Sequence, residues 1–522
     1  MEPACIRHTD LPGVTRLFAD FTYHFDRVAR FYTHNPHDPA SLEEAAREVR
    51  YPEERRAAIV EALRAQNGDH PSLARLAEPG TVAVVTGQQV GLFSGPAYTV
   101  YKAITAARIA QELTGLGIPA VPVFWLATED HDFAEVNHAW VFDKSHQPVM
   151  LSVDVPSDNG RQRPVGNLIP AQAPLDALAS ALGDFPFGDE VLAAVRESYT
   201  PGATMGAAFR ALLAKLLHKL DLLFLDPLDP AVRRIGAPLV AEALAAAPEL
   251  KARLLERNRE LEAAGYHAQV HLDAKTSLFF LLENGERVPL RFSNGGANGD
   301  FTALRDRAAE ISPNALLRPV VQDYLLPTVA YVGGPAELAY LAQSQVIYQR
   351  LLGRMPVVTS RSSFTLLEPR AQKLLERYRL TVADGFVNHD ALKERIARAL
   401  TPASVERAFA DAQDGLKHNI DCLHRELEKF DHTLAASLAT ARAKMIYQLE
   451  KTRRKMEREA MRRDERAAAD ARYLSCLLFP HRHPQERFYS ILPFLAKHGP
   501  ELIGQLAENV HLECPDHQLL VA

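Results

Sequence analysis

The chain reads as an α/β fold with a parallel sheet core, two insertions within that core, and a long α-helical coiled-coil domain after it. Three observations predict this. Five short apolar runs end in glycine or polar residues and alternate with helical stretches, the pattern of strands buried on both faces of a parallel sheet. Between some of these runs the pattern changes to antiparallel hairpin signals. Beyond about Glu368 the composition turns to Ala, Glu, Lys, Arg and Leu, with helical periodicity sustained to about Leu474.

At 522 residues, 47% hydrophobic and 24% charged, the chain can bury a large core and does not have the composition of a disordered protein. Its net charge of −6 gives no overall attraction to nucleic acid or to an anionic membrane, so small-molecule partners are expected and any anion site must be local. Four scattered cysteines, Cys5, Cys422, Cys476 and Cys514, make neither a disulfide framework nor a zinc knuckle. They fit a reducing compartment. The first residues lack a signal-peptide pattern and no apolar run approaches ~18 residues, so a cytoplasmic location is expected.

Residues 1–80 read as helical, with an amphipathic stretch from Ser41 to Asn67 and an N-cap at Ser41. The strand TVAVVT begins at Thr81, followed by the loop GQQVGLFSGP, a helix of about Tyr98 to Leu113, a stop at TGLGIP and the strand AVPVFWLAT. This is a βαβ unit of right-handed crossover. LDLLFLDP (Leu220 to Pro227), TVAYVGGP (Thr328 to Pro335) and MPVVTSR (Met355 to Arg361) bring the strand count to five. In TSLFFLLENGERVPLRF, Asn284-Gly285 sits between two apolar runs and signals a type I′ hairpin. The core therefore spans 1–368, with insertions near 140–200 and 230–315. Residues 369–474 form the coiled coil, where Leu416, Ile420, Leu423, Leu427, Phe430 and Leu434 alternate steps of four and three. A homodimer through this seam is favoured over a hairpin within the chain. The charge-dense stretch KTRRKMEREAMRRDERAAADAR interleaves both signs and reads as a solvated face rather than a nucleic-acid patch. The tail, 475–522, is expected to pack back on the core.

Ligands of such sheets sit at the carboxyl ends of the strands where strand order reverses. The loop TGQQVGLFSGP lies at one such end, with Gly87 and Gly95 permitting close backbone approach, and Gln88, Gln89 and Ser94 supplying polar groups. It is neither a P-loop nor a GxGxxG turn. The next strand ends in Glu129, Asp130, His131 and Asp132. Adjacent carboxylates and an imidazole are the ingredients of general acid–base catalysis, although an exposed polar loop or a metal site would use the same residue types. The run lacks the i, i+4 histidines of a helical zinc motif. A third edge comes from Gln322, Asp323, Tyr331, Gly333, Gly334 and Glu337, joined by Arg361 after the next strand. No cysteine falls beside these loops, which argues against a protein thiol nucleophile. In the tail, Arg487 and Tyr489 could form a platform for a nucleotide base.

Taken together, TGQQVGLFSGPAYTVYKAIT, FWLATEDHDFAEV, RPVVQDYLLPTVAYVGGPAELAY, SRSSFTLLE and QERFY resemble the bacillithiol biosynthesis BshC family, to which the cysteine-adding step is ascribed. The match spans nearly the whole chain. The resemblance implies a Rossmann-type core with two connecting-peptide insertions, similar to class I aminoacyl-tRNA synthetases, and a coiled coil that makes a dimer. It implies a carbon–nitrogen ligase that joins the carboxyl of cysteine to the amine of glucosaminyl-malate. A carboxylate needs activation before an amine attacks it, so ATP is implied, with an ADP site between coiled coil and core for which Arg487 and Tyr489 are the candidates. By topology, residues 87 to 95 cradle substrate or phosphate, Asp130, His131 and Asp132 handle the proton of the attacking ammonium, and Gly333 to Glu337 close the pocket. One departure bears on the thiol: the related mycothiol cysteine ligase resembles cysteinyl-tRNA synthetase and would hold it with zinc on cysteine and histidine, and no such ligand set lies near these motifs. The competing reading is a nucleotide-binding scaffold that recruits partners through its coiled coil.

Overall fold

The computed structural model describes residues 4–154, 162–292 and 301–522. Parts of both expected insertions, 155–161 and 293–300, lie outside the described residues. The chain divides into two compact units, one holding the chain up to Leu366 with Glu486–Leu520, the other Leu367–Gln485.

In the first unit, five strands form one parallel sheet: β1 (Val82–Gln88), β2 (Ala120–Leu126), β3 (Leu223–Leu225), β4 (Thr328–Gly333) and β5 (Val357–Ser360). Their spatial order is β5-β4-β1-β2-β3. The five apolar runs supply these five strands. Alternate residues of β1 face different cores: Val82 and Val84 pack with Ile109 and Leu113 of helix α1 (Tyr98–Gly115), while Ala83 and Val85 join a second core with Phe18, Phe31 and Leu63. Burial on both faces is why the run is unbroken rather than alternating.

Strand order runs from β1 to β3 on one side, then the chain returns to the other side of β1 to form β4 and β5. The reversal lies between β1 and β4, and their register pairs Thr86 with Val332. Gly87 and Gly333 therefore leave the sheet at the same level, opening a crevice between the two loops.

Between β2 and β3 the chain forms an antiparallel hairpin, His138–Phe142 with Pro148–Ser152, and helices Leu175–Leu182, Gly188–Ser198 and Met205–Leu216. Between β3 and β4 lie helices Pro230–Ala245 and Ala247–Ala263, then the hairpin Thr276–Glu283 with Glu286–Arg291. Asn284 (φ 53°) and Gly285 (φ 77°) both adopt the left-handed conformation that a type I′ turn demands.

Two local expectations are corrected. The stretch from Ser41 to Asn67 is two helices, Ala40–Glu48 and Glu53–Asn67, because Pro52 has no N–H with which to continue the first. Ser41 lies inside the first turn, where Pro39 rather than Ser41 is the N-cap.

In the second unit the apolar seam does not run along one helix. Helix Ala403–Phe430 ends, and Asp431 in extended conformation (φ −159°, ψ 116°) starts helix His432–Arg463. The Asp431 carboxylate accepts the N–H groups of Thr433 and Leu434, a cap that outweighs the apolar spacing across it. Arg442 pairs with Asp421 and Arg453 with Glu406, each at 3.0 Å, so the arms run antiparallel. Ile420, Ala435 and Leu438 are buried, whereas Leu423, Phe430, Leu434, Met445 and Tyr447 stay exposed.

Candidate active site

A cavity of about 660 Å³ occupies the crevice between the β1 and β4 loops. Gly87, Gln88, Gln89, Glu129, Asp130, Tyr331, Gly334, Glu337, Arg361 and Arg487 line it, all of them nominated by the sequence. Lys102, Tyr98, Glu135, Arg287, Arg318 and Tyr340 line it as well and were not nominated.

Gly87 is required by space. A Cβ there would stand 2.8 Å from the Trp125 carbonyl oxygen on β2, so no other residue fits without moving the sheet. One turn into α1, the buried Lys102 ammonium donates to the Gly87 carbonyl at 2.9 Å and to Gln88 Oε1 at 2.9 Å, and forms an ion pair with Glu337. Gln88 Nε2 donates to the Tyr98 hydroxyl at 3.2 Å. The Gln88 amide is thus held from both ends.

Glu337 sits in the first turn of helix Pro335–Leu351 and accepts the Gly334 N–H at 2.8 Å and the Tyr331 hydroxyl at 2.7 Å. Burial opposes its charge, but Lys102 and these donors prevail and hold its carboxyl below the usual range. Burial pulls the Lys102 ammonium below its ordinary value, with Glu337 resisting. Beside them Arg318 donates to the hydroxyls of Tyr340 (2.9 Å) and Tyr331 (3.1 Å) and to Gln322 Oε1 (2.9 Å). Among the described residues no carboxylate is paired with Arg318 at salt-bridge distance, so its charge is offered to the cavity through a frame of phenols.

Another part of the lining is acidic. Gln89 Nε2 donates to Asp130 Oδ2 at 2.7 Å and Glu135 Oε2 at 2.8 Å, holding two carboxylates together at the rim. Asp130 Oδ1 accepts the His131 N–H at 2.7 Å. Glu129 turns away into a buried ion pair with Arg233 at 2.5 Å, and burial raises its pKa. Asp132 caps the short helix Phe133–Val136 by accepting the Glu135 N–H.

His131 lies behind this wall against Phe280. Arg287, on the second hairpin, donates to His131 Nδ1 at 2.9 Å, with its other N–H groups on Ser312 Oγ and the Pro313 carbonyl. A guanidinium has only donors, so Nδ1 must accept and the proton sits on Nε2. Burial, then the Arg287 charge, lower the imidazole's pKa. His131 is therefore a neutral Nε2–H donor at neutral pH, a different part from the proton acceptor expected of it.

Eight nominated residues do not line the cavity, His131 and Asp132 among them. Ser94 and Gly95 turn inward where Phe93 (φ 50°) and Ser94 (φ 73°) are left-handed, and the tail's Ser490 hydroxyl donates to the Phe93 carbonyl at 2.9 Å. Gln322 and Asp323 are buried one behind the other, Gln322 Nε2 to Asp323 Oδ1 at 3.0 Å, with the Tyr348 hydroxyl closing the set. Tyr489 is fully buried against Phe142, Phe488 and Phe494, leaving no face for a base. Gly333 ends β4, with Tyr331 and Glu337 packed on it. Among the described residues no group of three or more His, Cys, Asp or Glu is placed to hold a metal ion, and no helix is long and apolar enough to cross a membrane.

Lys102 left a signal, being a lone cation in the otherwise apolar start of α1. Arg318 opens a polar stretch in which Gln322 and Asp323 drew attention instead. Arg287 and Glu135 have no local signature.

Comparison with known proteins agrees with this architecture. Residues 1–362 match the family description "Bacillithiol biosynthesis BshC, N-terminal Rossmann-like domain", and residues 364–522 match "Bacillithiol biosynthesis BshC, C-terminal coiled-coil domain". A protein of Solibacter usitatus is 51% identical over the full length of both chains. One of Koribacter versatilis is 37% identical, again over the whole of both. One of Salinibacter ruber is 33% identical over 97% of this chain and 96% of its own. All three carry the name "Putative cysteine ligase BshC". By its full-length relatives and its two matched domains, this chain belongs to the bacillithiol biosynthesis BshC family.

Proposed function

We propose that the chain is a cysteine ligase of bacillithiol biosynthesis, forming the amide between the carboxyl of cysteine and the amine of glucosaminyl-malate. One observation carries this reading: the crevice has two walls of opposite charge. Lys102, Arg318, Arg361 and Arg487 line it together with Asp130, Glu135 and the Gln89 amide. A malate group brings two carboxylates to the first wall, and the glucosamine ammonium suits the second. The family name of the relatives supports the same class of reaction.

Amide formation needs the cysteine carboxylate activated and the attacking amine neutral. ATP is the proposed cosubstrate, transferring a phosphoryl or adenylyl group to the carboxylate, after which the amine displaces phosphate or AMP. Arg487, exposed beside the Tyr98 ring, fits an incoming phosphate; Tyr489, being sealed, does not fit a base. Asp130 is the proposed acceptor of the ammonium proton. His131 Nε2–H is the proposed donor to the carbonyl oxygen as it gains charge. A homodimer through the second unit, in the cytoplasm, completes the reading, and its exposed Leu423, Phe430 and Leu434 support the dimer.

The test is direct. Purified protein with cysteine, glucosaminyl-malate and ATP is expected to yield bacillithiol by mass spectrometry, and Asp130→Asn is expected to abolish it while leaving the protein folded. No product, together with an unchanged bacillithiol pool in a deletion strain, would remove the ligase reading and leave the scaffold.

A further inference from the structure

Cys5 and Cys514 are 509 positions apart in sequence, yet their Sγ atoms stand 3.6 Å apart. Cys5 lies in strand Ala4–Ile6, which pairs antiparallel with strand His517–Val521, placing Cys5 opposite Gln518. Cys514 lies in the turn before that second strand, its N–H on the His511 carbonyl at 3.1 Å. A second tie holds the two backbones beside the thiols: the Tyr23 hydroxyl accepts from the His8 N–H at 2.7 Å and donates to Asp516 Oδ1 at 2.7 Å. Closing this contact to a bond of about 2.05 Å brings the two sulfurs together by about 1.5 Å, within the reach of side-chain rotation. Cys5 is exposed and Cys514 half-buried, so a small reagent reaches the pair.

We propose that Cys5 and Cys514 are a redox-active dithiol, which a low-molecular-weight disulfide oxidises to an intrachain disulfide fastening the first described strand to the C-terminal one. This does not rest on the ligase reading. Cys514 gives its proton to solvent and its thiolate attacks one sulfur of the oxidant, breaking that S–S bond and releasing one thiolate. Cys5 then loses its proton and attacks the Cys514 sulfur of the mixed disulfide, releasing the second thiolate. The protein gives up two protons and two electrons, and the oxidant becomes two thiols. The order follows from the surroundings: burial and the neighbouring Cys514 push the Cys5 thiol up to about 11, making it the poorer first attacker. The strand so fastened carries His517, three residues beyond Cys514.

The experiment uses the full-length protein and oxidised glutathione in excess, followed by alkylation with iodoacetamide under denaturing conditions. Of the four cysteines, two are expected to resist alkylation, the intact mass to fall by two hydrogens, and a Cys5–Cys514 cross-linked peptide to appear. Dithiothreitol reverses all three. In Cys5→Ser the reaction should stop at Cys514 bearing glutathione, and faster than Cys5 is capped in Cys514→Ser, which reads the order of attack without requiring the disulfide. Alkylation of all four cysteines in the treated protein overturns the proposal, as does a cross-link that maps to Cys422 or Cys476 or that joins two chains.

Discussion

Arg361 enters the crevice with its guanidinium already gripped by Glu486, Nη1 to Oε2 at 2.8 Å and Nη2 to Oε1 at 2.5 Å, both side chains almost sealed from solvent. Glu486 also accepts the Phe364 N–H at 3.1 Å and the Ser363 hydroxyl at 3.0 Å. Burial opposes its charge, yet Arg361 and these donors hold its pKa down to about 2. Ser363 has one hydroxyl proton and spends it on Glu486, so at 2.5 Å the His517 Nδ1–H donates to Ser363 Oγ, and Nε2 accepts from Thr365 at 2.7 Å. The SRSSF and QERFY stretches, separate in sequence, are one device for aiming an arginine.

Breaking that pair leaves a buried charge without its partner. Glu486→Gln is expected to lower unfolding free energy by about 3 to 5 kcal/mol, read from urea midpoints. Adding Arg361→Met should return part of the loss, because no unpaired charge then remains. A single variant that unfolds at the wild-type midpoint would show that the pair holds nothing together.

His517 makes stability depend on pH. Burial lowers its pKa from 6.5 to about 4, so between those values the unfolded chain binds the proton that the folded one refuses. The stabilisation is complete above pH 6.5 and is lost as pH falls through about 4, on the order of 3 kcal/mol for the whole window. His517→Gln cannot titrate. Its unfolding free energy should fall less steeply than wild type between neutral pH and the lower end of that window, and parallel curves would rule His517 out as the source.

His131 separates two roles that the sequence could not. As a fixed Nε2–H donor it should tolerate His131→Gln, whose amide also donates, with a loss of roughly 10-fold in kcat, while His131→Ala loses roughly 100-fold or more. A general base would make both variants equally inactive. Any limb that the wild-type kcat profile owes to His131 should lie below the ordinary histidine pKa, because burial and Arg287 lower it.

What the sequence disclosed follows from how local each signal is. The strands β1 to β5 are buried on both faces, so each is written as a continuous apolar run, and the glycines at their ends mark where the chain leaves the sheet. Asn284-Gly285 declares its turn because only a few residues accept positive φ. The cationic wall is different in kind. Lys102, Arg318 and Arg361 converge from three segments, and Arg287 comes from a hairpin within an insertion, so nothing in their neighbours announces that they meet. Gln322 and Asp323 show the reverse failure: a polar pair beside a strand looks the same whether it faces a ligand or, as here, a buried tyrosine. The coiled-coil seam hid its own break, since Asp431 falls between apolar positions without interrupting their spacing.

Gln89 is the residue whose role the structure sharpens most. Both carboxylates of the acidic wall accept from the same Nε2, so the amide acts as a neutral spacer that lets Asp130 and Glu135 share a small volume. Removing it in Gln89→Leu sets two like charges against each other without a donor between them, which weakens the wall's hold on an ammonium. Each lost bond to a charged group is worth about 1.5 to 3 kcal/mol in a buried setting, and at this half-exposed rim about 1 to 2 kcal/mol is the fitting scale. KM for glucosaminyl-malate should therefore rise roughly 10-fold in Gln89→Leu, and further in Gln89→Glu, which adds a third carboxylate, while KM for cysteine holds. An effect on cysteine alone would assign this wall to the amino acid instead, and would place the sugar amine against the opposite side of the crevice.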